Sequence, residues 1–178
     1  LRAYYYYNLL DCFGNVPIST DFTEKVLPTN STRKEVFEFI EKELKEIMPL
    51  LPSGVTYGRF TQNVANTLLA RLYLNAEVYT GSPRWQDCLD ACDKVQGYQL
   101  TPNYKASFAI QNEKSPEIIF AIPYDHKQGT VGNYLASMTY HYNQKQAFDP
   151  AGVYQWCGNG ICAQPGLYSS FDGQDVRR

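Results

Sequence analysis

Long apolar runs are missing from this chain, and so are most of the groups that enzymes use. Its 178 residues include two His and two Met, and the formal net charge is only −2. With an isoelectric point near 5.7, no basic field is available to hold nucleic acid. No stretch approaches the roughly 20 apolar residues that a bilayer-spanning helix needs. Two imidazoles leave few candidates for general acid–base chemistry, and His126 and His141 stand in no metal-ligand spacing. A phosphate-binding loop, a nucleophile elbow and a paired-histidine motif are all missing. So is any ordered run of carboxylates suited to calcium. These absences point away from catalysis and from a metal or other cofactor. The chain also begins Leu1-Arg2-Ala3-Tyr4, a mid-helix pattern with no initiator Met, basic region or cleavage site. We read it as a fragment or processed piece whose targeting information is missing rather than absent.

What the chain does have is rings. It carries 15 Tyr and 9 Phe. A tyrosine offers a flat apolar face with a polar tip, which serves either to pad a helix interface or to grip something wet. The length suits one domain with a core of its own, 1–178. Five cysteines divide into two kinds. Cys88 and Cys92 are one helical turn apart, a spacing that suits two buried thiols better than a bridge. Cys157 and Cys162 flank a Gly-rich loop that could close a small disulfide ring, whereas Cys12 stands alone.

Hydropathy patterning predicts a helical scaffold over 1–97. Leu1 to about Phe13 reads as the end of an aromatic helix stopped by Gly14-Asn15, after which Val16-Pro17-Ile18 runs extended. Leu27-Pro28-Thr29-Asn30 reads as a loop. Thr32-Arg33-Lys34-Glu35 has the form of a capping box. Val36, Phe37, Ile40, Leu44 and Ile47 then share one face, while Glu38, Glu41, Lys42 and Lys45 form a solvated one; Pro49 and Pro52 end the helix. A Gly-Arg turn at Gly58-Arg59 opens the most informative helix, about Gln62 to Tyr79. There Val64, Ala65, Leu68, Leu69, Leu72, Tyr73 and Ala76 recur at helical spacing. Its alanines at 65, 70 and 76 let neighbouring helices come close, so the helix belongs in the middle of an antiparallel stack. A third helix is expected from Ser82 as cap and Pro83 as first residue to Gly97, burying Trp85, Cys88, Leu89, Cys92 and Val95. This rhythm is similar to the tetratricopeptide type of helical repeat. The fold class expected is therefore mainly α, with an irregular, loop-rich part over 98–178. In that part Tyr98-Gln99-Leu100 and Glu117 to Pro123 read as short extended pieces.

The order of these features resembles the SusD/RagB family of outer-membrane nutrient-binding lipoproteins. The pieces that carry the likeness are Leu1 to Leu10 with Phe13-Gly14-Asn15-Val16-Pro17, then Thr32 to Val36, then Tyr57-Gly58-Arg59-Phe60-Thr61. They continue with Ala70-Arg71-Leu72-Tyr73-Leu74, Tyr98-Gln99-Leu100 and Glu117-Ile118-Ile119-Phe120. The resemblance covers about residues 1–124, and Asp175 to Arg178 looks like a further landmark. It implies a SusD-like fold and a non-enzymatic, surface-exposed subunit that binds glycan or other nutrient in the outer membrane of a Gram-negative cell. It also implies a partner, a TonB-dependent SusC-type transporter, and an N-terminal lipidated cysteine that this chain does not include. The matched motifs are scaffold in that family, so Arg59 and Arg71 read as charges that satisfy helix ends or buried carboxylates.

No family motif transfers a binding residue, so the candidate site comes from the residues themselves. Between His126 and Tyr168 the chain interleaves Tyr134, Tyr140, Tyr142, Tyr154 and Trp156 with Asn and Gln. A sugar ring has an apolar C–H face and an equator of hydroxyls, so it wants an aromatic platform beside amide or carboxylate partners. Trp156, Tyr140 and Tyr134 are the expected platforms, with Asn133, Asn159 and Asp149 as polar partners. The competing reading has these rings pin an irregular segment onto the helices. Glycoside hydrolysis would need two carboxyls across a cleft, and Asp149, Asp172 and Asp175 sit in no recognisable catalytic frame. The other function class is a helical-repeat scaffold that binds protein without touching sugar.

Overall fold

The first helix, α1 (Arg2–Phe13), ends where Gly14 turns to φ 72° and returns its N–H to the Leu10 carbonyl. A residue with a Cβ would be strained in that left-handed conformation. The computed structural model describes residues 1–21, 23, 25–109, 112–123, 138–144, 146 and 158–175. It divides into two units, Leu1–Ile122 and Pro123–Arg178.

In the first unit, β1 (Val16–Pro17) pairs antiparallel with β2 (Asn30–Ser31), Val16 opposite Ser31. The capping box forms as expected. The Thr32 hydroxyl accepts from the Glu35 N–H, and the Glu35 carboxylate accepts from the Thr32 N–H at 2.7 Å. It starts α2 (Arg33–Ile47), which buries Val36, Phe37, Ile40 and Leu44, and a 3-10 turn over Met48–Leu50 follows. Ile47, expected on the same face, is exposed instead, because the helix is already giving way to that turn.

Next comes α3 (Gln62–Leu74), capped by the Thr61 hydroxyl, with all seven apolar positions predicted for the long helix buried. The helix expected from Gln62 to Tyr79 is instead split in two, since Asn75 ends α3 and α4 (Ala76–Thr80) follows it. The cause is local. The Asn75 side chain donates to the Arg71 carbonyl, the acceptor that its own backbone N–H would use in a continuous helix. Gly81, at φ 80°, closes α4.

The third predicted helix is α5 (Trp85–Asp93), and here three expectations fail. Ser82 does not cap it: its N–H is held by the Thr80 hydroxyl, which ties Ser82 to the end of α4, and Arg84 occupies the cap position. Nor is the predicted stripe buried. Trp85 is 50% and Leu89 58% exposed, Cys92 is exposed, and Cys88 and Val95 are half-buried. The fully buried residue is Ala91, whose small side chain lets α5 lie close on α3, with Cys88 packed beside the core. The helix also stops at Asp93 rather than at Gly97, because Asn63 of α3 captures the backbone of Gln96.

The core follows this order: α1 packs on α2, α2 on α3 and α4, and α3 on α5. Tyr7, Tyr73 and Tyr79 lie inside it. Tyr4 makes edge contacts with Phe60 and Phe120, and Tyr6 both donates to and accepts from the backbone of Ser19. For these rings padding is the role the structure gives. Tyr98-Gln99-Leu100 is joined to the later extended piece by a bond from the Gln99 N–H to the Pro116 carbonyl, without forming a strand. Glu117 gathers the hydroxyls of Thr101 and Ser107 at 2.7 and 2.9 Å, which holds its carboxyl below the usual range.

One charge expected on a solvated face is not there. Glu41 has a side chain only 15% exposed and joins three helices. It accepts from Lys45 on its own helix, from the Tyr73 hydroxyl of α3 at 2.8 Å and from Arg84 beside α5 at 3.2 Å. Arg71 lies over the Tyr7 ring at 5.3 Å, a cation–π contact rather than an ion pair. Arg59 is exposed and makes no ion pair among the described residues.

Candidate functional site

In the second unit, the described parts of the aromatic segment are 138–144, 146 and 158–168. Three successive backbone bonds clasp the first of these to the last. The N–H of Asn159 donates to the Tyr140 carbonyl at 3.0 Å, and those of Gly160 and Ile161 to the Met138 carbonyl at 2.8 and 3.0 Å. Asn159 can make this turn because its φ is 47°, a left-handed value that asparagine tolerates better than most side chains. At Gly160 a Cβ would stand 2.2 Å from the Met138 Cε, so the end of that flexible side chain would have to move to admit one.

Tyr140 and Asn159, two of the predicted site residues, are therefore brought together, through backbone rather than through their side chains. Tyr140 is half-buried and Asn159 exposed. Trp156, Tyr134, Asn133 and Asp149 lie outside the described residues.

Beside Tyr140 the chain makes a 3-10 turn, Tyr142–Gln144, that sequence reading had not singled out as the centre of the segment. The His141 and Tyr142 rings lie 4.0 Å apart between centroids at 34°, and Tyr142 remains 62% exposed. His141 Nδ1 accepts from the Asn143 N–H at 3.1 Å, which places the proton of the neutral ring on Nε2 and makes that nitrogen a donor. Gln144 Oε1 accepts from the His141 N–H at 3.3 Å and leaves the amide NH2 as a pair of donors. An exposed ring with an imidazole donor and a primary amide within three residues can meet both the apolar face and the hydroxyl edge of a sugar. The sequence signal for it is the run Tyr140-His141-Tyr142-Asn143-Gln144, in which rings alternate with polar side chains.

Asp172 Oδ1 accepts the Gln174 N–H in a local turn. Asp149 is outside the described residues. Among the described residues no three His, Cys, Asp or Glu side chains are gathered as metal ligands. Cys162 is exposed and unbridged, and Cys157 lies outside the described residues. Cys88 and Cys92 are also unbridged; partial burial, and then the neighbouring Cys92, push the Cys88 thiol up. Among the described residues no helix is long and apolar enough to cross a membrane.

The first unit is a stack of short helices of the helical-repeat type. Residues 1–74 match a SusD-like family model described as starch-binding and associating with outer membrane. Over 134 residues the chain is 37% identical to the starch-binding protein SusD of Bacteroides thetaiotaomicron, an alignment covering 70% of this chain and 24% of that protein. Two solved structures share the fold. A SusD superfamily protein from Bacteroides fragilis matches with a TM-score of 0.70 and 21% identity, over 99% of this chain and 41% of that one. A laminarin-binding SusD-like protein matches with a TM-score of 0.59 and 28% identity, over 67% of this chain and 28% of that one. By these matches the chain is similar to the SusD-like family, and it spans about a quarter of the curated relative's length.

Proposed function

We propose that this chain is part of a non-catalytic glycan-binding protein that works at the cell surface with a TonB-dependent SusC-type transporter in nutrient uptake. It is held at the outer membrane by an N-terminal lipid that the 178 residues do not include. The observation that carries this reading is the 37% identity to a starch-binding protein over most of the chain. The fold supports it from the other side. The residues that the resemblance rests on are packed helices, so the chemistry for a ligand falls to the segment after Pro123, where Tyr142, Gln144 and His141 Nε2 can meet a saccharide.

The test is a carbohydrate-array screen of the full-length protein, followed by titration of the best oligosaccharide by isothermal calorimetry. Trp156→Ala, Tyr140→Ala and Tyr142→Ala should each weaken binding by about tenfold, the scale of one stacked ring. Binding that survives all three substitutions unchanged sinks the assignment of this segment. Copurification of a barrel partner with no response to any sugar would favour the protein-scaffold reading, and release of reducing sugar would favour an enzyme.

A further inference from the structure

The 3-10 turn Tyr142–Gln144 decides more than where two polar side chains lie, because it also decides which of their atoms are left for a ligand. A neutral imidazole and a primary amide each bring both donors and acceptors. Here the acceptors are turned onto the chain's own backbone. His141 Nδ1 takes the Asn143 N–H at 3.1 Å, and Gln144 Oε1 takes the His141 N–H at 3.3 Å. The atoms left over are donors, the ring Nε2–H and the two hydrogens of the amide.

Charge along the segment runs the same way. Of the chain's 18 acids only Asp149 falls within 126–171, and that stretch also holds Lys127, Lys145, His126 and His141. The next acid in sequence, Asp172, accepts the Gln174 N–H on Oδ1. A chain whose net charge is −2 thus keeps all but one of its side-chain carboxylates out of the segment that carries the candidate site.

Such donors suit some sugars better than others. A hydroxyl both donates and accepts, so it meets N–H groups with only part of its capacity. A carboxylate only accepts, has two oxygens to offer, and makes charge-assisted bonds roughly twice as strong as neutral ones. We infer, resting on the glycan-binding reading above, that this site takes an acidic glycan. A uronic acid residue lies with its apolar face on the exposed Tyr142 ring, and its carboxylate accepts from His141 Nε2 and the Gln144 amide. The His141 ring, 4.0 Å from that of Tyr142 between centroids, sets the donor beside the platform. A neutral sugar stacks on the same ring and meets the donors with hydroxyls, so the preference reads out as a ratio of affinities.

The test is isothermal calorimetry on the full-length protein with matched probes. Trimers of galacturonic, glucuronic and mannuronic acid are each set beside the carboxyl-reduced form, in which –COO⁻ has become –CH2OH. Maltoheptaose and sulfated neocarratetraose complete the set. At least one acid should bind about tenfold more tightly than its reduced form, the scale of two charge-assisted bonds at an exposed site. Gln144→Glu puts an anion where the NH2 group was, at nearly unchanged volume, and should bring that ratio to one or below. His141→Phe keeps a ring beside Tyr142 without its donor and should lower the ratio. Reduced forms that bind as well as the acids, or a ratio that Gln144→Glu leaves unchanged, would overturn the acidic-glycan inference and leave the glycan reading standing. Preference for the sulfated probe over all three acids would overturn it too, in favour of sulfate esters. Silence from every probe, reduced and neutral forms included, counts instead against the glycan reading, and the inference falls with it. The ratio is measured on the parent protein, so it stands even if a variant misfolds.

Discussion

Replacing Glu41 with glutamine removes one charge and almost no volume, which makes it a clean probe of how the first unit is held together. The carboxylate accepts from Lys45, Tyr73 and Arg84. Burial raises the cost of its charge, but the bonds from Lys45, Tyr73 and Arg84 outweigh that and hold its pKa below the ordinary 4.5. A hydrogen bond to a charged group contributes about 1.5–3 kcal/mol when shielded. Here two of the three partners are open to water, with side chains 56% and 32% exposed for Lys45 and Arg84, so their share falls well below 1 kcal/mol each. Glutamine still offers an oxygen to the Tyr73 hydroxyl. The net loss expected for Glu41→Gln is therefore about 1–2 kcal/mol, and about 3 kcal/mol for Glu41→Leu, which also strands that buried hydroxyl. Because the folded pKa is depressed, the stabilisation is present above the unfolded value of 4.5 and is lost as pH falls through the folded one. Urea unfolding followed by far-UV circular dichroism at neutral pH and in acid measures both. If Glu41→Gln matches the parent at neutral pH, or if the gap persists unchanged in strong acid, the three-helix hub is not what holds these elements.

Two further outcomes follow from neighbouring contacts. Asn63→Ala should cost about 1–3 kcal/mol and speed amide hydrogen exchange at Gln96, since that backbone loses its partner; exchange confined to its original rate would refute the clamp. Burial and the bond to Glu41 push the Tyr73 hydroxyl up to about 12, so the folded state keeps its proton where the unfolded chain, at 10.0, has lost it. Stability should therefore drop as pH rises between those values, and Tyr73→Phe should abolish that part of the drop when unfolding is followed by circular dichroism.

The scaffold was legible because its signals are local and redundant. Thr32 and Glu35 satisfy each other within one turn, and the seven buried positions of α3 and α4 repeat every three or four residues. What could not be read was which neighbour a face would meet. Trp85, Leu89 and Cys92 form a regular stripe, yet α5 turns Ala91 toward α3 because close approach needs a small residue and not a large one. Glu41 was assigned to water by its position opposite the apolar stripe, but α3 and α5 supply Tyr73 and Arg84 from 32 and 43 residues away. The site was legible only as composition. Ring and amide content marked the segment, whereas the clasp of Asn159 to Tyr140 depends on a left-handed turn that residue type permits but does not demand.

The asparagines of α3 and its cap carry the sharpest lesson about polar groups in a helical stack. Hydropathy scores Asn63, Asn66 and Asn75 alike, yet each has a different fate within thirteen residues of helix. Asn75 turns its amide back on the Arg71 carbonyl and ends the helix. Asn63 reaches across to Gln96 and stops α5 early. Both spend their amide on backbone that belongs to the fold, which is the ordinary resolution for a buried polar group. Asn66 takes a third course: it pairs with no group among the described residues, and its amide atoms are not among the buried unpaired ones, so it spends its hydrogen bonds on the water of the cleft it lines.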